Sequence, residues 1–173
     1  LPLDLLHVPH FNAPLWCRHP LVVTIHDITP KFFPGPLARR SWLRRQAYNL
    51  VLRAALASSR RIIVDSEHVA KLLQGHYRVN QAKVDLVPIG ISPAFHDPVK
   101  YGIVQTLRQR FALDGDYLFY SGVWRDHKNV PALVEAFRIL HIEQQRPLKL
   151  VLGGEAREQH PQLVQAWQAA GMA

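Results

Sequence analysis

The sequence predicts an α/β protein whose parallel sheets, of the doubly wound type, are covered by helices. Three observations indicate this class. Short β-branched runs such as Leu21–Ile25 and Ile62–Val64 alternate along the chain with longer segments of helical periodicity. Polar residues or glycines follow several of these runs, as at the carboxyl ends of strands in parallel sheets. The composition of the 173 residues, 48% apolar and 20% charged, is that of a folded globular protein and excludes a disordered chain, a collagen and a coiled coil.

The first predicted elements lie before residue 60. Leu21–Ile25, directly before the polar pair His26-Asp27, is typical of a buried strand. Residues 30–36 contain three prolines and a glycine, which predicts a loop. Apolar side chains at three- and four-residue spacings in residues 37–57 predict an amphipathic helix with arginines on its opposite face.

Two more strands and a helix follow up to residue 91. Ile62–Val64 predicts the second strand. Asp65-Ser66-Glu67 then begins a helix that extends to about Tyr77, because a serine side chain can accept hydrogen bonds from the first turn. Residues 83–91 predict the third strand, which ends in Pro88-Ile89-Gly90-Ile91.

The chain changes character before a second series of strands and helices. Two prolines, a short helical segment over residues 101–111 and the turn Asp114-Gly115-Asp116 indicate a boundary. We predict a first domain over residues 1–98, a linker over 99–116 and a second domain over 117–173. In the second domain we expect a strand over 117–122, a helix over 129–145, a strand over 148–152 and a last helix over 162–170.

The charge of the chain is strongly positive and locally concentrated. The formal net charge is +8, which predicts anionic partners. Seven arginines fall within residues 39–61, a stretch that contains no acidic residue. Two interpretations remain open: Arg39, Arg40, Arg44 and Arg45 beside Trp42 bind an anionic membrane surface, or they form a solvated basic face. Nucleic acid is not expected as a partner, because aromatic residues are not interleaved with these arginines beyond Trp42 and Tyr48.

Several features bear on where the protein works. The sequence has neither an uncharged apolar run of membrane-spanning length nor a basic leader segment at Leu1. Its single cysteine, Cys17, cannot pair within the chain, which is typical of a reducing compartment. We therefore expect a cytoplasmic location, peripheral to the inner membrane face if the arginines bind lipid. Because residue 1 is not Met, we also expect the chain to be an excised piece.

The segment Ser121–Asn129 is the most informative motif. It is a glycine loop between a predicted strand and a predicted helix, and it carries Arg125, His127 and Lys128. The amino terminus of a helix presents unpaired N–H groups, and nearby Arg or Lys can neutralise a diphosphate. The spacing alone leaves two readings open, an anion site and an ordinary exposed loop.

This segment and the helix after it resemble a sequence block of the retaining family 4 glycosyltransferases. Gly122, Lys128 six residues on, Asn129 and Leu133–Phe137 match the block that opens the second domain of these enzymes. Earlier segments resemble successive landmarks of the same family, in the same order: His7–Asn12, Val23–Asp27, Val64–Glu67 and Val87–Ile91. The resemblance implies a GT-B fold, with an acceptor-side and a nucleotide-sugar Rossmann-like domain.

The resemblance also implies an activity. Family members transfer a sugar from a nucleotide-sugar donor to a glycan or lipid-linked acceptor with retention, and no metal or other cofactor is implied. The His-Asp strand end with the Lys-Asn loop is similar to bacterial mannosyltransferase-like members, which favours a GDP-mannose-like donor over a UDP-sugar. The fold leaves two alternatives open, a non-catalytic Rossmann-like binding module and a GT-B sugar-nucleotide epimerase.

Particular residues take roles through this resemblance. Lys128 matches the lysine that neutralises the donor diphosphate, and with His26 it is an implied catalytic residue. Val123 stands where the family usually has arginine, so Arg125 is the implied second cation. The implied donor-binding residues are Gly122, Arg125, Lys128, Asn129 and Glu155.

The acceptor side is implied to involve His26, Asp27 and Gly90. Gly90 matches a glycine of the family's hinge motif, and we expect it to use the backbone freedom of glycine in a turn. The family's glycine-rich loop would precede Leu1 and its acidic motif would follow Ala173. We therefore expect the 173 residues alone to show little or no transfer activity.

Overall fold

The computed structural model describes residues 3–143 and 148–154, together with residue 165. It divides the chain into two compact units, Leu1–Ser92 and Pro93–Ala173. The division falls after Ser92, whereas the sequence prediction ends the first domain at residue 98. Within the described residues, no helix is long and apolar enough to cross a membrane.

The first unit contains a four-stranded sheet in the order β1-β2-β3-β4, in which all pairs are parallel. Its strands are β1 Leu6–Val8, β2 Leu21–Ile25, β3 Arg61–Val64 and β4 Val84–Leu86. Its helices are α1 Thr29–Phe32, α2 Pro36–Arg39, α3 Trp42–Ser58 and α4 Glu67–Tyr77. The prediction of an α/β protein with parallel sheets is confirmed.

The core of this unit lies on the two central strands. Val23 and Ile25 of β2 and Val64 of β3 are fully buried, and they belong to one apolar cluster with Leu52 of α3 and Leu73 of α4. Full burial of each such side chain stabilises the fold by about 1.5–3 kcal/mol relative to an exposed one. The packed sheet therefore holds in place the ends of β2 and β3, from which the following residues extend.

Two sequence predictions in the connection after β2 are wrong. Residues 30–36 are not all loop, because α1 begins at Thr29 and Pro30 occupies its first turn, where a missing N–H costs nothing. The predicted single helix over 37–57 is divided between α2 and α3. Ser41 is extended there, and its hydroxyl accepts a hydrogen bond from the backbone N–H of Arg44 at 3.4 Å, so it caps α3.

The third predicted strand is shorter than expected. It forms only over Val84–Leu86 as β4, at the edge of the sheet, after a 3₁₀ turn at Gln81–Lys83. Residues 87–91 are exposed and have no regular structure. Pro88 lacks the N–H needed to continue a ladder, which explains the early end of the strand.

The second unit has a two-stranded parallel sheet and two described helices. They are α5 Tyr101–Arg110, β5 Asp116–Ser121, α6 Val130–Glu143 and β6 Leu148–Gly153. Val130 and Val134 of α6 are buried against one face of the sheet, beside Tyr120 and Leu152. The predicted helix over 162–170 lies outside the described residues except for residue 165, and so does the predicted end of α6 after residue 143.

Candidate functional site

Polar side chains meet at the carboxyl edge of the first sheet. His26 follows β2 and Asp65 follows β3, and the register pairs Ile25 with Val64 directly before them. His26 Nδ1 lies 3.3 Å from Asp65 Oδ2. The side chain of His26 is 49% exposed and that of Asp65 is 17% exposed. The pair therefore presents an accessible imidazole above a more buried carboxylate.

Asp27, the sequence neighbour of His26, contacts the backbone of the turn that follows it. Its Oδ1 accepts a hydrogen bond from the backbone N–H of Thr29 at 2.7 Å and so shapes the turn into α1. The sequence predicts site roles for the adjacent His26 and Asp27 but none for Asp65. The available signal was that polar residues directly follow two β-branched runs, which become neighbours in a parallel sheet.

An aromatic group lies in the same unit, next to the core. Phe11 meets Tyr48 edge-on, with ring centroids 5.0 Å apart. The Tyr48 hydroxyl is buried and has no hydrogen-bond partner among the described residues. Burial, followed by the influence of Tyr77 and Asp27, raises the pKa of Tyr48 far above its usual range. Tyr48 is thus a neutral phenol at any physiological pH.

Gly90 does not behave as the resemblance suggested. It is exposed in the irregular segment after β4, and its φ is not positive. A Cβ added there would meet no atom within 4 Å. The expectation that its turn needs glycine is therefore wrong within the described structure.

Two glycines do matter in the second unit, at the ends of β5 and β6. Gly122 has φ +156° and Gly154 has φ +144°, where other residues are strained. A Cβ on Gly154 would overlap the carbonyl oxygen of Gly122 and lie 3.1 Å from Trp124 Nε1. The sequence predicts no role for Gly154, which lies two residues after the predicted strand over 148–152. The structure shows that it permits close approach of the two strand ends.

The predicted donor loop is built from short backbone turns. The N–H of Arg125 donates to Val123 O at 3.0 Å, and the N–H of Lys128 donates to Arg125 O at 2.8 Å. Asn129 has φ +49°, a conformation that asparagine tolerates better than most residues, and its carbonyl accepts from Ala132 N at 3.1 Å. The loop therefore passes directly into the amino terminus of α6.

The two cations of this loop are available to a ligand. Arg125 and Lys128 are exposed, and neither side chain forms an ion pair within the described part of the chain. Tyr120 Oη and Trp124 Nε1, beside the same strand ends, are buried without a hydrogen-bond partner among the described residues. The fifth predicted donor residue, Glu155, lies outside those residues.

The arginine-rich segment divides into structural and exposed members. Arg61 forms a two-point interaction with Asp85 of β4, and Arg53 lies 5.5 Å from the ring centre of Tyr77. Arg39 donates to Pro34 O at 3.2 Å. Around the start of α3, Trp42 and Leu43 are 69% and 63% exposed. The exposed arginines on either side of them are Arg39, Arg40, Arg44 and Arg45.

Comparison with known proteins places the first unit in a family. A family model described as Glycosyltransferase Family 4 matches residues 1–95, just over half of the chain. No curated protein matches the chain. The matched region contains His26, Asp27, Asp65 and Gly90. The matched region ends before β5. The assignment of the loop with Lys128 to donor binding therefore rests on the resemblance of its own motif.

Proposed function

Because the chain belongs to glycosyltransferase family 4, we propose that it takes part in retaining transfer of a sugar from a nucleotide-sugar donor to a glycan or lipid-linked acceptor. In this proposal the donor diphosphate binds at the loop Gly122–Asn129, and His26 and Asp27 contribute to the acceptor side. A GDP-mannose-like donor is favoured over a UDP-sugar by the motif resemblance.

One observation carries the donor assignment. Arg125 and Lys128 are exposed cations in a loop fixed by backbone hydrogen bonds, directly before the 14-residue helix α6. The amino terminus of a helix carries a partial positive charge and unpaired N–H groups. A diphosphate at this place would meet three sources of positive potential, two side chains and the helix end.

The same arrangement suits the chemistry of transfer. As the bond from the anomeric carbon to the diphosphate oxygen breaks, negative charge grows on the departing nucleotide diphosphate. A cation whose interaction strengthens with that charge lowers the barrier, rather than only improving donor binding. Lys128 is proposed for this role, and Arg125 supplies the second charge.

Direct binding tests the donor assignment. GDP and UDP are titrated into the 173-residue chain by calorimetry, and binding that weakens with rising salt is expected. Arg125→Ala should weaken binding about 10-fold, the effect of roughly one charge-assisted contact. Arg78→Ala, an exposed arginine at the end of α4, is the matched control. Equal affinities for Arg125→Ala and the unaltered chain would contradict the assignment.

We also propose that Arg39, Arg40, Arg44 and Arg45 with Trp42 hold the protein peripherally on an anionic membrane surface. Exposed Trp42 and Leu43 amid four exposed arginines give the start of α3 both components of interfacial binding, an apolar contact and positive charge. This surface would keep the enzyme near lipid-linked acceptors on the cytoplasmic face.

A further inference from the structure

The His26–Asp65 pair joins two segments that lie 39 residues apart in sequence. Each residue directly follows a central strand that contributes to the core, because Ile25 precedes His26 and Val64 precedes Asp65, and both are buried. The imidazole is the more exposed partner, and its Nδ1 faces the carboxylate at 3.3 Å. The opposite ring nitrogen, Nε2, has no hydrogen-bond partner among the described residues.

Asp65 is held firmly by the start of α4. The next residue, Ser66, is extended with φ −149° and ψ 151°, and its hydroxyl accepts from Val69 N at 3.4 Å. The positive end of this 11-residue helix favours a carboxylate nearby. The backbone position of Asp65 is therefore set by β3 on one side and by the start of α4 on the other.

The other nearby carboxylates are otherwise engaged. Asp27 accepts from Thr29 N at 2.7 Å, and Glu67 lies 3.6 Å from Lys71 on the exposed side of α4. Among the described carboxylates, Asp65 is the one in contact with His26. The effect of Asp65 can therefore be separated from a general effect of negative charge.

We infer that Asp65 is a positioning residue that holds His26 in one tautomer. A carboxylate can only accept, so the hydrogen of the neutral ring must lie on Nδ1, and Nε2 keeps its lone pair. His26 then presents a fixed acceptor to the solvent side of the sheet edge. The further step, that Nε2 accepts a hydrogen bond from a hydroxyl group of the sugar or of the acceptor substrate, rests on the proposed function. The assignment of the tautomer does not depend on it.

Nitrogen NMR tests the tautomer without any ligand. In the ¹⁵N-histidine-labelled chain at about pH 8, where an ordinary imidazole is neutral, the His26 signals are assigned by their loss in His26→Gln. We expect a protonated Nδ1 and an unprotonated Nε2. Asp65→Ala should lose this preference, Asp65→Asn should weaken it because its amide can donate as well as accept, and Glu67→Gln, which removes a charge from the same helix start, should keep it.

Two results would overturn the inference: a His26 protonated mainly on Nε2 in the unaltered chain, or a tautomer that Asp65→Ala leaves unchanged. Thermal unfolding followed by circular dichroism confirms that each variant is folded before its spectrum is compared.

A kinetic measurement extends the test to the ligand. In the complete natural protein that contains these residues, Asp65→Ala should lower kcat/KM about 10-fold, the lower range for loss of a group that orients a functional histidine. Asp65→Glu should restore part of the loss, and Glu67→Gln should leave kcat/KM unchanged. An unchanged kcat/KM in Asp65→Ala would refute the inference that His26 Nε2 accepts a hydrogen bond from a ligand hydroxyl group. If the NMR spectra show the predicted tautomer but the protein has no transfer activity, the proposed function is refuted. The inference that Asp65 sets the tautomer of His26 is then still supported.

Discussion

At the scale of single residues, the account depends on charges held in place by backbone geometry. Lys128 is the central case, because it lies in a 3₁₀ turn directly before the left-handed Asn129 and α6. An exposed side chain in such a loop contributes little to packing. Its removal should therefore change function far more than stability.

We predict that Lys128→Ala in the complete natural protein lowers kcat/KM about 100-fold, the scale of removing one donor that stabilises a developing anion. The melting temperature should stay nearly constant. Steady-state kinetics and thermal unfolding measure the two quantities. Lys71→Ala, another exposed lysine, is the control for loss of positive charge. Activity within a few-fold of the unaltered enzyme would move the diphosphate site away from Lys128.

A second prediction at this scale concerns Gly154. Its φ of +144° and the overlap of an added Cβ with Gly122 O mean that Gly154→Ala should lower the free energy of unfolding by about 1–3 kcal/mol. Gly102→Ala is the matched control, because Gly102 lies inside α5 and an added Cβ would meet no atom within 4 Å. It should raise the free energy by about 0.5–1 kcal/mol. Urea unfolding followed by tryptophan fluorescence measures both, and equal effects would contradict the close approach of the strand ends.

The residue scale also shows the limit of sequence reasoning about the site. The loop with Lys128 could be named from the sequence, because its motif is contiguous. Asp65 carries a weaker signal, a polar residue after a β-branched run, and its contact with His26 depends on which strands become neighbours in the sheet. The prediction that Gly90 uses the backbone freedom of glycine is wrong for a related reason. A motif match gives a residue type, whereas the backbone angles of that residue depend on the surrounding fold.

At the scale of elements, the exposed start of α3 leads to a membrane prediction. Changing Arg44 and Arg45 together to Glu should weaken binding to vesicles rich in phosphatidylserine by at least about 10-fold, since each basic residue near such a surface contributes about 1 kcal/mol. Vesicle sedimentation measures the binding, and rising salt should reduce it.

The control for this prediction changes two arginines that lie outside the start of α3. Arg60 follows the other end of the 17-residue α3, about 25 Å from its start. Arg60→Glu with Arg78→Glu, at the ends of α3 and α4, makes the same change in net charge without altering the start of α3. If both double variants lose vesicle binding equally, the membrane contact is a property of net charge and the proposed surface is wrong.

The pairing of β3 with β4 gives a prediction about pH. The hydrogen bonds from Arg61 lower the pKa of Asp85 below its usual value, with burial acting in the opposite direction. A lowered pKa in the folded state means that the stabilisation is complete above the ordinary aspartate pKa of about 3.9 and is lost as pH falls through the folded value. Asp85→Asn should therefore show a smaller loss of melting temperature between pH 6 and pH 3 than the unaltered chain. An identical loss would exclude this pair as an acid-sensitive contact.

Elements differed in how well the sequence predicted them. The strands β2 and β3 are predicted by β-branched runs, β5 and β6 by short apolar or aromatic runs, and the helix α4 by a capping serine with apolar periodicity. The three-residue β1 has too short a pattern to be recognised. The helix α1 is not predicted from the sequence, because Pro30 and the prolines after it indicate a loop. Proline also suits the first turn of a helix, which is where Pro30 lies.

At the scale of the whole molecule, family membership and the predicted chemistry rest on different parts of the chain. The family match covers residues 1–95 and thus the first unit, which carries His26 and Asp65. The cations Arg125 and Lys128 belong to the second unit. A complete reaction needs donor and acceptor groups together, so activity is the property that tests both units at once.

The most direct measurement is a transfer assay. The complete natural protein is incubated with GDP-mannose and, separately, with UDP-sugars, together with a polyprenyl-phosphate-linked sugar or a soluble oligosaccharide as acceptor. Mass spectrometry detects the product, and proton NMR determines its anomeric configuration. The account predicts addition of one sugar, most efficiently from GDP-mannose, with the configuration of the donor retained. Nucleotide-sugar binding without turnover, epimerisation of the donor without transfer, or a product of inverted configuration would contradict it.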